Sequence, residues 1–349
     1  MITPKALERM LSQFASCRIG VFGDLFLDRY LEIDAGLDEP SIETGLTAYQ
    51  VVQVRSQPGA SGTVINNLHA LGVGQIEIFS MRGDDGEGYE WAQALSRLNG
   101  VGVEHLFVEP LRRTPTYTKP IYSETGVVSR ELNRMDIKNR MTLPKQVEAK
   151  LWDAIEASMG QLDALIVLDQ VSQIDCGVVT TGGITRLKAL QDRYPDKFIM
   201  ADSRERIGAF QGVTIKPNRD EVARMLGRSS AQSSEEMPKT IASLAKDRGQ
   251  PVFCTLSQDG ILHSFPNKEA VYEMALPVTG PIDVVGAGDS VSAALAAACA
   301  TRATVSEAMG LAMLVASVTI RQIGTTGTAP PALLREALAR FMNKENPDH

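Results

Sequence analysis

The stretch Pro281–Ala300 reads PIDVVGAGDSVSAALAAACA and places two glycines and a carboxylate where an alanine-rich helix is expected to begin. A helix N-terminus leaves its first amide N–H groups without internal partners and carries partial positive charge. The side chains of Gly286, Ala287 and Gly288 are too small to block an approaching anion, so this turn is a candidate anion site. The alternative is a plain tight turn in which Asp289 serves as an ordinary helix N-cap.

Short apolar segments recur along the rest of the chain, and helical patterns separate most of them. The segments are RIGVFGD from Arg18, QIEIFSMRGDD from Gln75, DALIVLDQ from Asp163, KFIMADS from Lys197, VTIKPN from Val213 and PVFCTLS from Pro251. Strands that alternate with helices predict right-handed βαβ units. We therefore expect an α/β fold with a doubly wound, mainly parallel sheet and helices on both of its faces.

Each predicted strand ends in a polar residue. These residues are Asp24, Asp84 with Asp85, Asp169, Asp202, Asn218 and Ser257. In open α/β sheets the ligand crevice lies outside the carboxyl ends of the strands, so the polar groups should gather along one edge. Each of them taken singly is also explained as the N-cap of the helix that follows.

Two segments interrupt the alternation of strands and helices. TAYQVVQVRS within residues 31–57 reads as strand, and residues 114–137 read as a hairpin around a SETG turn. We therefore predict a main α/β domain of residues 1–30, 58–113 and 138–349, with residues 31–57 and 114–137 forming a small β-sheet lid. The open edges of such a lid suit a homodimer contact.

The composition excludes several classes of partner. The 349 residues contain 35 Lys and Arg against 42 Asp and Glu, a formal net charge of −7, so no basic surface for nucleic acid is expected. The N-terminus lacks the apolar core of a signal peptide, and no apolar run is long enough to span a membrane, which predicts a cytoplasmic protein without a membrane partner. The four cysteines have no CxxC spacing, which argues against a zinc site.

The segment DVVGAGDS at Asp283–Ser290 resembles the DTxGAGD signature of the PfkB, or ribokinase-like, carbohydrate kinases. Other stretches follow in the order of that family. They are GDLFLDRY from Gly23, PGASGTVINNLHALG from Pro58, RGDDGEGYEW from Arg82, KPNRDEV from Lys216 and TLSQDG from Thr255. The resemblance thus covers nearly the whole chain, and GDLFLDRY and DVVGAGDSV look closest to the heptose-phosphate kinase branch. No Walker A or GxGxxG motif is present, which disfavours a P-loop or standard dinucleotide enzyme.

The resemblance implies an ATP-dependent kinase that transfers the γ-phosphoryl group to a hydroxyl of a sugar or sugar phosphate. Asp289 would act as the catalytic base, and Gly286, Ala287 and Gly288 would form the anion hole. Phosphoryl transfer passes through a loose transition state, so a strong base is unnecessary. An Asp at a helix start is expected to stay ionised at pH 7.

The resemblance also implies the positions of the nucleotide and ions. Asn218 and Glu221 match the NxxE motif that positions magnesium through water, and Asn218, Ser257 and Gly260 lie where the family holds ATP. Asp283 matches a position that, in some members, helps to hold a monovalent cation such as potassium. Asn218 and Glu221 also fit a helix capping box, and the two roles are compatible.

The acceptor site is implied at Asp28, Gly59 and Thr63. Asp28 could instead pair with its neighbour Arg29 on a solvated loop. The family's sugar loop has a second glycine and then an asparagine, where this chain has Ala60 and Thr63, so the identity of the sugar is left open. Val285 also stands where the heptose-kinase branch often has threonine.

Two other functions are consistent with these residues. The first is a nucleoside or vitamin kinase of the same fold, which would differ in how its second sheet is built. The second is a sugar-binding regulator that no longer turns over, which the changes at Ala60 and Thr63 would permit. The presence of Asp289, Asn218 and Glu221 argues against the regulator.

Overall fold

The computed structural model describes residues 2–229 and 233–345. Its helices are α1 (Pro4–Phe14), α2 (Ser61–Leu71), α3 (Gly86–Leu95), α4 (Lys145–Ser158), α5 (Thr181–Arg193), α6 (Arg219–Met225), α7 (Met237–Arg248), α8 (Ala287–Ala300), α9 (Val305–Thr319) and α10 (Pro331–Glu345). Within these ranges no helix is long and apolar enough to cross a membrane.

The strands comprise a main sheet, a small sheet and a two-stranded ribbon. In chain order they are β1 (Arg18–Gly23), β2 (Leu25–Asp34), β3 (Glu39–Pro40), β4 (Thr47–Ala48), β5 (Val51–Ala60), β6 (Gln75–Arg82), β7 (Val101–Gly102), β8 (Leu106–Val108), β9 (Thr116–Ser123), β10 (Arg130–Glu131), β11 (Met135–Ile137), β12 (Ala164–Asp169), β13 (Phe198–Ser203), β14 (Thr214–Ile215), β15 (Val252–Thr255), β16 (Ile261–Ser264) and β17 (Val271–Glu273).

The main sheet has the order β17-β16-β15-β14-β13-β12-β1-β6-β7, with β8 also paired to β6. The strands from β15 to β7 run parallel, and only β16 and β17 are antiparallel additions at one edge. The six strands predicted from the sequence are β1, β6, β12, β13, β14 and β15. The predicted α/β fold with a mainly parallel sheet is therefore confirmed, and their carboxyl ends share one edge.

The helices cover both faces of the main sheet. One buried apolar cluster lies under α1, α2, α8, α9 and α10 and includes Leu7, Leu68 and Leu314. A second cluster lies under α4, α5 and α7 and includes Leu151 and Leu187. The run of alanines in α8 is fully buried between neighbours, because small side chains let helices and sheet approach closely. This packing fixes the N-terminus of α8 at the carboxyl edge of the sheet.

The small sheet has the order β10-β9-β2-β5, with β11 also paired to β9. It begins earlier than the boundary predicted at residue 31, because β2 starts at Leu25, and it extends past residue 57 because β5 runs to Ala60. The reason is that β1 ends at Gly23 and a single residue separates it from β2, so one apolar run supplies strands to two sheets. Residues 1, 230–232 and 346–349 of the predicted main domain lie outside the described residues.

Candidate active site

The turn at the start of α8, Gly286–Gly288, consists of small residues. Gly286 is the N-cap of α8 with a φ of 78°, a left-handed conformation that favours glycine, and among the described residues no side chain caps the helix. A Cβ on Gly288 would meet no atom within 4 Å, so the space beside its backbone is open. The Ala287 amide donates to the Val284 carbonyl at 3.1 Å. The Gly288 and Asp289 amides of the first turn remain available to an anion. Asp289 lies in this first turn but does not cap the helix, so the N-cap alternative does not apply.

Asp289 sits in a strongly perturbed electrostatic environment. Burial raises the pKa of its carboxyl to about 7, the carboxylates of Asp202 and Asp28 add to the rise, and Arg204 and Lys216 oppose it. The expectation that Asp289 is fully ionised at pH 7 considered only the helix N-terminus, and the structure adds two neighbouring carboxylates that the local sequence does not reveal. A carboxyl with a pKa near neutrality can both accept and release a proton.

A buried ion pair lies next to this carboxyl. The Lys216 Nζ lies 2.9 Å from the Asp202 Oδ2, and both side chains are largely buried. The Ser292 hydroxyl of α8 also donates a hydrogen bond to Asp202 Oδ2 at 2.9 Å, which ties α8 to the end of β13. Burial alone would lower the pKa of Lys216, but Asp202, Glu221 and Asp289 outweigh it and leave the pKa raised. Lys216 thus stays cationic beneath the anion turn.

Asn218 and Glu221 form the capping box at the start of α6. The Asn218 Oδ1 accepts from the Glu221 amide at 2.8 Å, and the Glu221 Oε2 accepts from the Asn218 amide at 2.7 Å. The Glu221 Oε1 has only a 3.9 Å contact with Arg224, so this oxygen retains capacity for a further donor or a hydrated ion. Burial raises the pKa of Glu221 to about 7, and Asp202 contributes in the same direction. In the described ranges no cluster of three or more His, Cys, Asp or Glu could hold a metal directly.

The Ser257 and Gly260 turn follows β15, next to the end of β14. A bridge between Asn218 and Thr255 brings this turn beside the α6 capping box. Ser257 is exposed and has a φ of 54°. Gly260 has a φ of 111°, and a Cβ there would lie 2.1 Å from the Glu273 carbonyl oxygen, so this glycine is required by its close approach to β17. The candidate nucleotide residues are thus adjacent, with Ser257 facing solvent and Gly260 facing the sheet edge.

Asp28 lies in β2 of the small sheet and is almost fully buried. Its Oδ1 lies 3.4 Å from Lys119 Nζ, and burial raises the pKa of Asp28 although Lys119, Arg134 and Arg204 oppose the rise. A Cβ on Gly59 would lie 2.7 Å from the Asp28 Oδ2, so only glycine leaves room for this carboxylate. The alternative pairing of Asp28 with Arg29 is wrong.

Arg29 points to the opposite face of β2, because successive side chains of a strand alternate. It pairs with Glu87 at 3.2 Å and Glu90 at 2.6 Å on α3. Asp28 instead couples electrostatically to Asp289, whose pKa it helps to raise. The candidate acceptor acid and the candidate base are therefore close enough for their charges to interact.

The loop between β5 and α2 carries the two departures from the family pattern. Ala60 adopts φ 52° and ψ −120°, a conformation suited to the glycine that the family usually has there. Thr63 is 2% exposed, and its Cγ2 lies 3.2 Å from where a Cβ on Gly286 would stand. Thr63 therefore packs against the backbone of the anion turn.

Asp283 ties the anion turn to the loop that precedes α10. Its Oδ1 accepts from the Val285 amide and its Oδ2 from the Gly324 amide, both at 3.0 Å. Each carboxylate oxygen has a further lone pair, so these bonds leave room for a cation. The exposed Val285 side chain takes no part in these bonds, because only its backbone amide is used.

The structure also brings together residues to which the sequence assigned no role. Four cations of the small sheet stack on two tyrosine rings and form what we call the cationic face. They are Arg55 and Lys119 at 4.6 and 4.8 Å from the Tyr30 ring centre, and Arg134 and Lys138 at 4.2 and 5.5 Å from that of Tyr117. Arg134 and Lys138 share the single carboxylate Asp136, so positive charge is in excess there. The period-2 alternation of a hairpin is the sequence signal that predicts such a shared face.

The cationic face and Asp28 lie on one side of the small sheet. Asp28 is opposite Tyr117 in β9, which is opposite Asp136 in β11, and directly opposed residues project to the same face. A cavity lined by Tyr117 and Lys138 also contains Asp24 and Gln170 from the carboxyl edge of the main sheet. The cationic face therefore looks onto that edge.

Comparison with known proteins identifies similar sequences and similar folds. Among similar curated proteins, the bifunctional protein HldE of Pelobacter propionicus is 27% identical over 332 residues, which cover 95% of this chain and 65% of that protein. HldE of Caulobacter vibrioides is 29% identical over 326 residues, covering 92% and 63%. The chain thus spans about two thirds of the length of these curated relatives.

Solved structures of the same fold include the phosphofructokinase-2 of Escherichia coli in complex with substrates and products. It has a TM-score of 0.69 and 16% identity, and the match covers 93% of this chain and 99% of that one. The ribokinase of Arabidopsis thaliana complexed with ribose and ATP has a TM-score of 0.68 and 15% identity, with coverage of 92% and 98%. These likenesses establish the ribokinase-like fold.

The family comparison matches residues 28–332, which contain the anion turn, the capping box and all of the small sheet except the first three residues of β2. That range is most of the chain. The chain belongs to the pfkB family of carbohydrate kinases, a family of phosphotransferases that act on alcohol groups.

Proposed function

We propose that this protein is an ATP-dependent kinase that phosphorylates a hydroxyl of a sugar phosphate, with Asp289 as the base and the Gly286–Gly288 turn as the anion hole. One observation carries the proposal: an uncapped helix start stands beside a carboxyl whose pKa is about 7, over a buried lysine. Such a site combines an anion pocket, a proton acceptor and fixed positive charge. Phosphoryl transfer requires these three elements and little covalent chemistry.

In the proposed mechanism the chain positions and polarises the reactants. Asp289 accepts the proton of the acceptor hydroxyl, and its raised pKa places this transfer near physiological pH. The amides of Gly288 and Asp289 bind the oxygens on which charge develops, because the Ala287 amide already donates to the Val284 carbonyl. Lys216 keeps Asp202 paired, so that a second free carboxylate does not repel the incoming phosphoryl group.

The nucleotide fits the adjacent turns. In the proposal Asn218, Ser257 and Gly260 border ATP, and Glu221 holds hydrated magnesium through its free Oε1. Magnesium, when bound, neutralises charge on the phosphates. Asp283 provides a further carboxylate for a monovalent cation, and its two bonds to backbone amides hold the turn in place.

The acceptor is proposed to lie between the strand ends and the small sheet, which serves as a lid. Asp28, in the space left by Gly59, binds sugar hydroxyls, and Thr63 supports the anion turn from behind. The cationic face favours a phosphorylated sugar over a free one, because Arg134 and Lys138 share one carboxylate and an anion would balance them. The ribokinase neighbour was solved with ribose and ATP, a free sugar, so the choice of a phosphorylated sugar rests on this face.

A turnover assay tests the proposal. Purified protein is incubated with ATP, magnesium and a panel of free and phosphorylated sugars, nucleosides and vitamins, and ADP release is measured. We expect turnover with a phosphorylated sugar and a loss of at least about 100-fold in Asp289→Asn, because the base is removed. Turnover only with a nucleoside or vitamin would favour that alternative. Sugar binding without ADP release would favour the regulator.

The same proposal includes a homodimer through the small sheet. Val52, Val54 and Met135 are all more than half exposed on that sheet, although they are large apolar side chains. Light scattering after size exclusion tests this, and a monomeric Val54→Lys variant with unchanged fold would support the contact. A monomeric wild-type protein would exclude it.

A further inference from the structure

Three consecutive residues before α10 contact three different parts of the cleft. The Gly324 amide donates to Asp283 Oδ2 at 3.0 Å, and the Thr325 hydroxyl donates to Gln57 Oε1 at 3.2 Å. The Thr326 Cγ2 lies 3.1 Å from the place of a Cβ on Gly286. We call Gly324, Thr325 and Thr326 the bridge segment. It is the direct link between the small sheet and the anion turn.

Gln57 connects the bridge segment to the candidate acceptor residue Asp28. It lies opposite Asp28 in the β2–β5 pairing, and its Nε2 donates to the Tyr30 hydroxyl at 3.4 Å. Lys119 donates to the same hydroxyl at 3.2 Å and pairs with Asp28. A chain of hydrogen bonds therefore runs from Asp28 through these groups to the bridge segment.

On the other side the link ends at the anion turn. The Asp283 carboxylate holds the Gly324 amide with one oxygen and the Val285 amide with the other. Val285 directly precedes Gly286, so any displacement of Gly324 is passed to the turn by a shared carboxylate. Hydrogen-bond networks with fixed partners can transmit a change between two sites in this way.

We propose that Gln57 and Thr325 are positioning residues that couple the acceptor pocket to the anion turn. This inference rests on the proposed function for its purpose, but the coupling itself is a property of the chain. Occupation of the pocket near Asp28 would tighten the Gln57–Thr325 bond and thereby fix the turn that receives the phosphoryl group.

Amide hydrogen exchange at Val285 and Gly324, measured at short labelling times, tests the coupling without any ligand. Thr325→Val and Gln57→Leu each remove the bond, and we expect exchange at both amides to become about 3- to 10-fold faster, the effect of losing one neutral hydrogen bond. Thr325→Ser keeps a hydroxyl and should restore the wild-type rate. Thr185→Val, which removes a helix-surface hydroxyl that bonds only to its own helix, is the control and should leave both amides unchanged.

A double-mutant cycle distinguishes coupling from general loosening. Gln57→Leu also removes the Nε2 bond to Tyr30, so if the two residues act through their shared bond, the double variant exchanges no faster than Gln57→Leu alone. Additive effects, or unchanged exchange at Val285, would overturn the inference.

A binding measurement with AMP-PNP provides the functional arm. We expect its affinity to fall about 3- to 10-fold in Thr325→Val and to recover in Thr325→Ser. An affinity that stays at the wild-type value in Thr325→Val would also overturn the inference. If the wild type fails to bind AMP-PNP, the proposed function fails, while the exchange data still decide the coupling.

Discussion

Replacing Ala60 by glycine should stabilise the protein, although the same change normally destabilises one. Ala60 holds φ 52° and ψ −120°, where an L side chain is strained by about 1–3 kcal/mol. Glycine removes this strain but adds about 0.4–1 kcal/mol of unfolded-state entropy cost. The difference is a gain of about 0–2.6 kcal/mol in the free energy of unfolding, measured by urea denaturation at constant m-value.

Ala149→Gly is the matched control. Ala149 is exposed inside α4, where glycine costs about 1 kcal/mol, so the same chemical change should have the opposite sign. If Ala60→Gly lowers stability as Ala149→Gly does, then the backbone at Ala60 is not strained and the argument from its φ angle is wrong. A gain without loss of turnover would also show that the altered loop tolerates the family's glycine.

Three further predictions concern the cleft. Burial and the carboxylates of Asp202 and Asp28 raise the pKa of Asp289 to about 7, although Arg204 and Lys216 oppose the rise. We therefore expect kcat/KM to rise with pH through about 7 as the base ionises, and then to level off. A pH profile that stays flat down to about pH 5 would contradict this prediction. Arg134→Ala should raise the KM for a phosphorylated acceptor about 10-fold and leave kcat nearly unchanged. The control Arg130→Ala, on β10 against the Tyr122 ring, should leave this KM unchanged. Equal effects of the two variants would exclude the cationic face as the phosphate site. Lys216→Met should lower the free energy of unfolding in urea by about 3–5 kcal/mol, because it leaves Asp202 buried without its cation. A loss below about 1 kcal/mol would indicate that the ion pair is solvated.

The main sheet was predictable because each of its central strands is an apolar run with a polar end, and such runs are read locally. The boundary of the small sheet was not, since β1 and β2 are separated only by Asp24. This residue is buried and accepts hydrogen bonds from the Gln170 and Val178 amides. Nothing in the composition of that run marks where the chain leaves one sheet for the other.

The residues of the candidate site also fall into those that the sequence predicts and those that it does not. The anion turn and the capping box are contiguous motifs, so residues such as Gly286 and Glu221 were identified from short stretches of sequence and from their resemblance to the family's motifs. The pKa of Asp289 depends on Asp202 and Asp28, which are far away in the chain, and the Gln57–Thr325 bond joins residues 268 positions apart. Contacts of this kind arise only when the fold brings the strand ends together.

The parallel pairing of β2 with β9 has a consequence for how the chain reaches this structure. The paired residues Leu27 and Thr116 are separated by most of the first third of the chain, which includes β6 of the main sheet and helix α3. Closing so long a loop costs entropy before any contact repays it, so the small sheet should assemble after β1 and β6 have paired. A graft of this sheet onto another kinase would therefore have to carry both chain segments and the strand that lies between them.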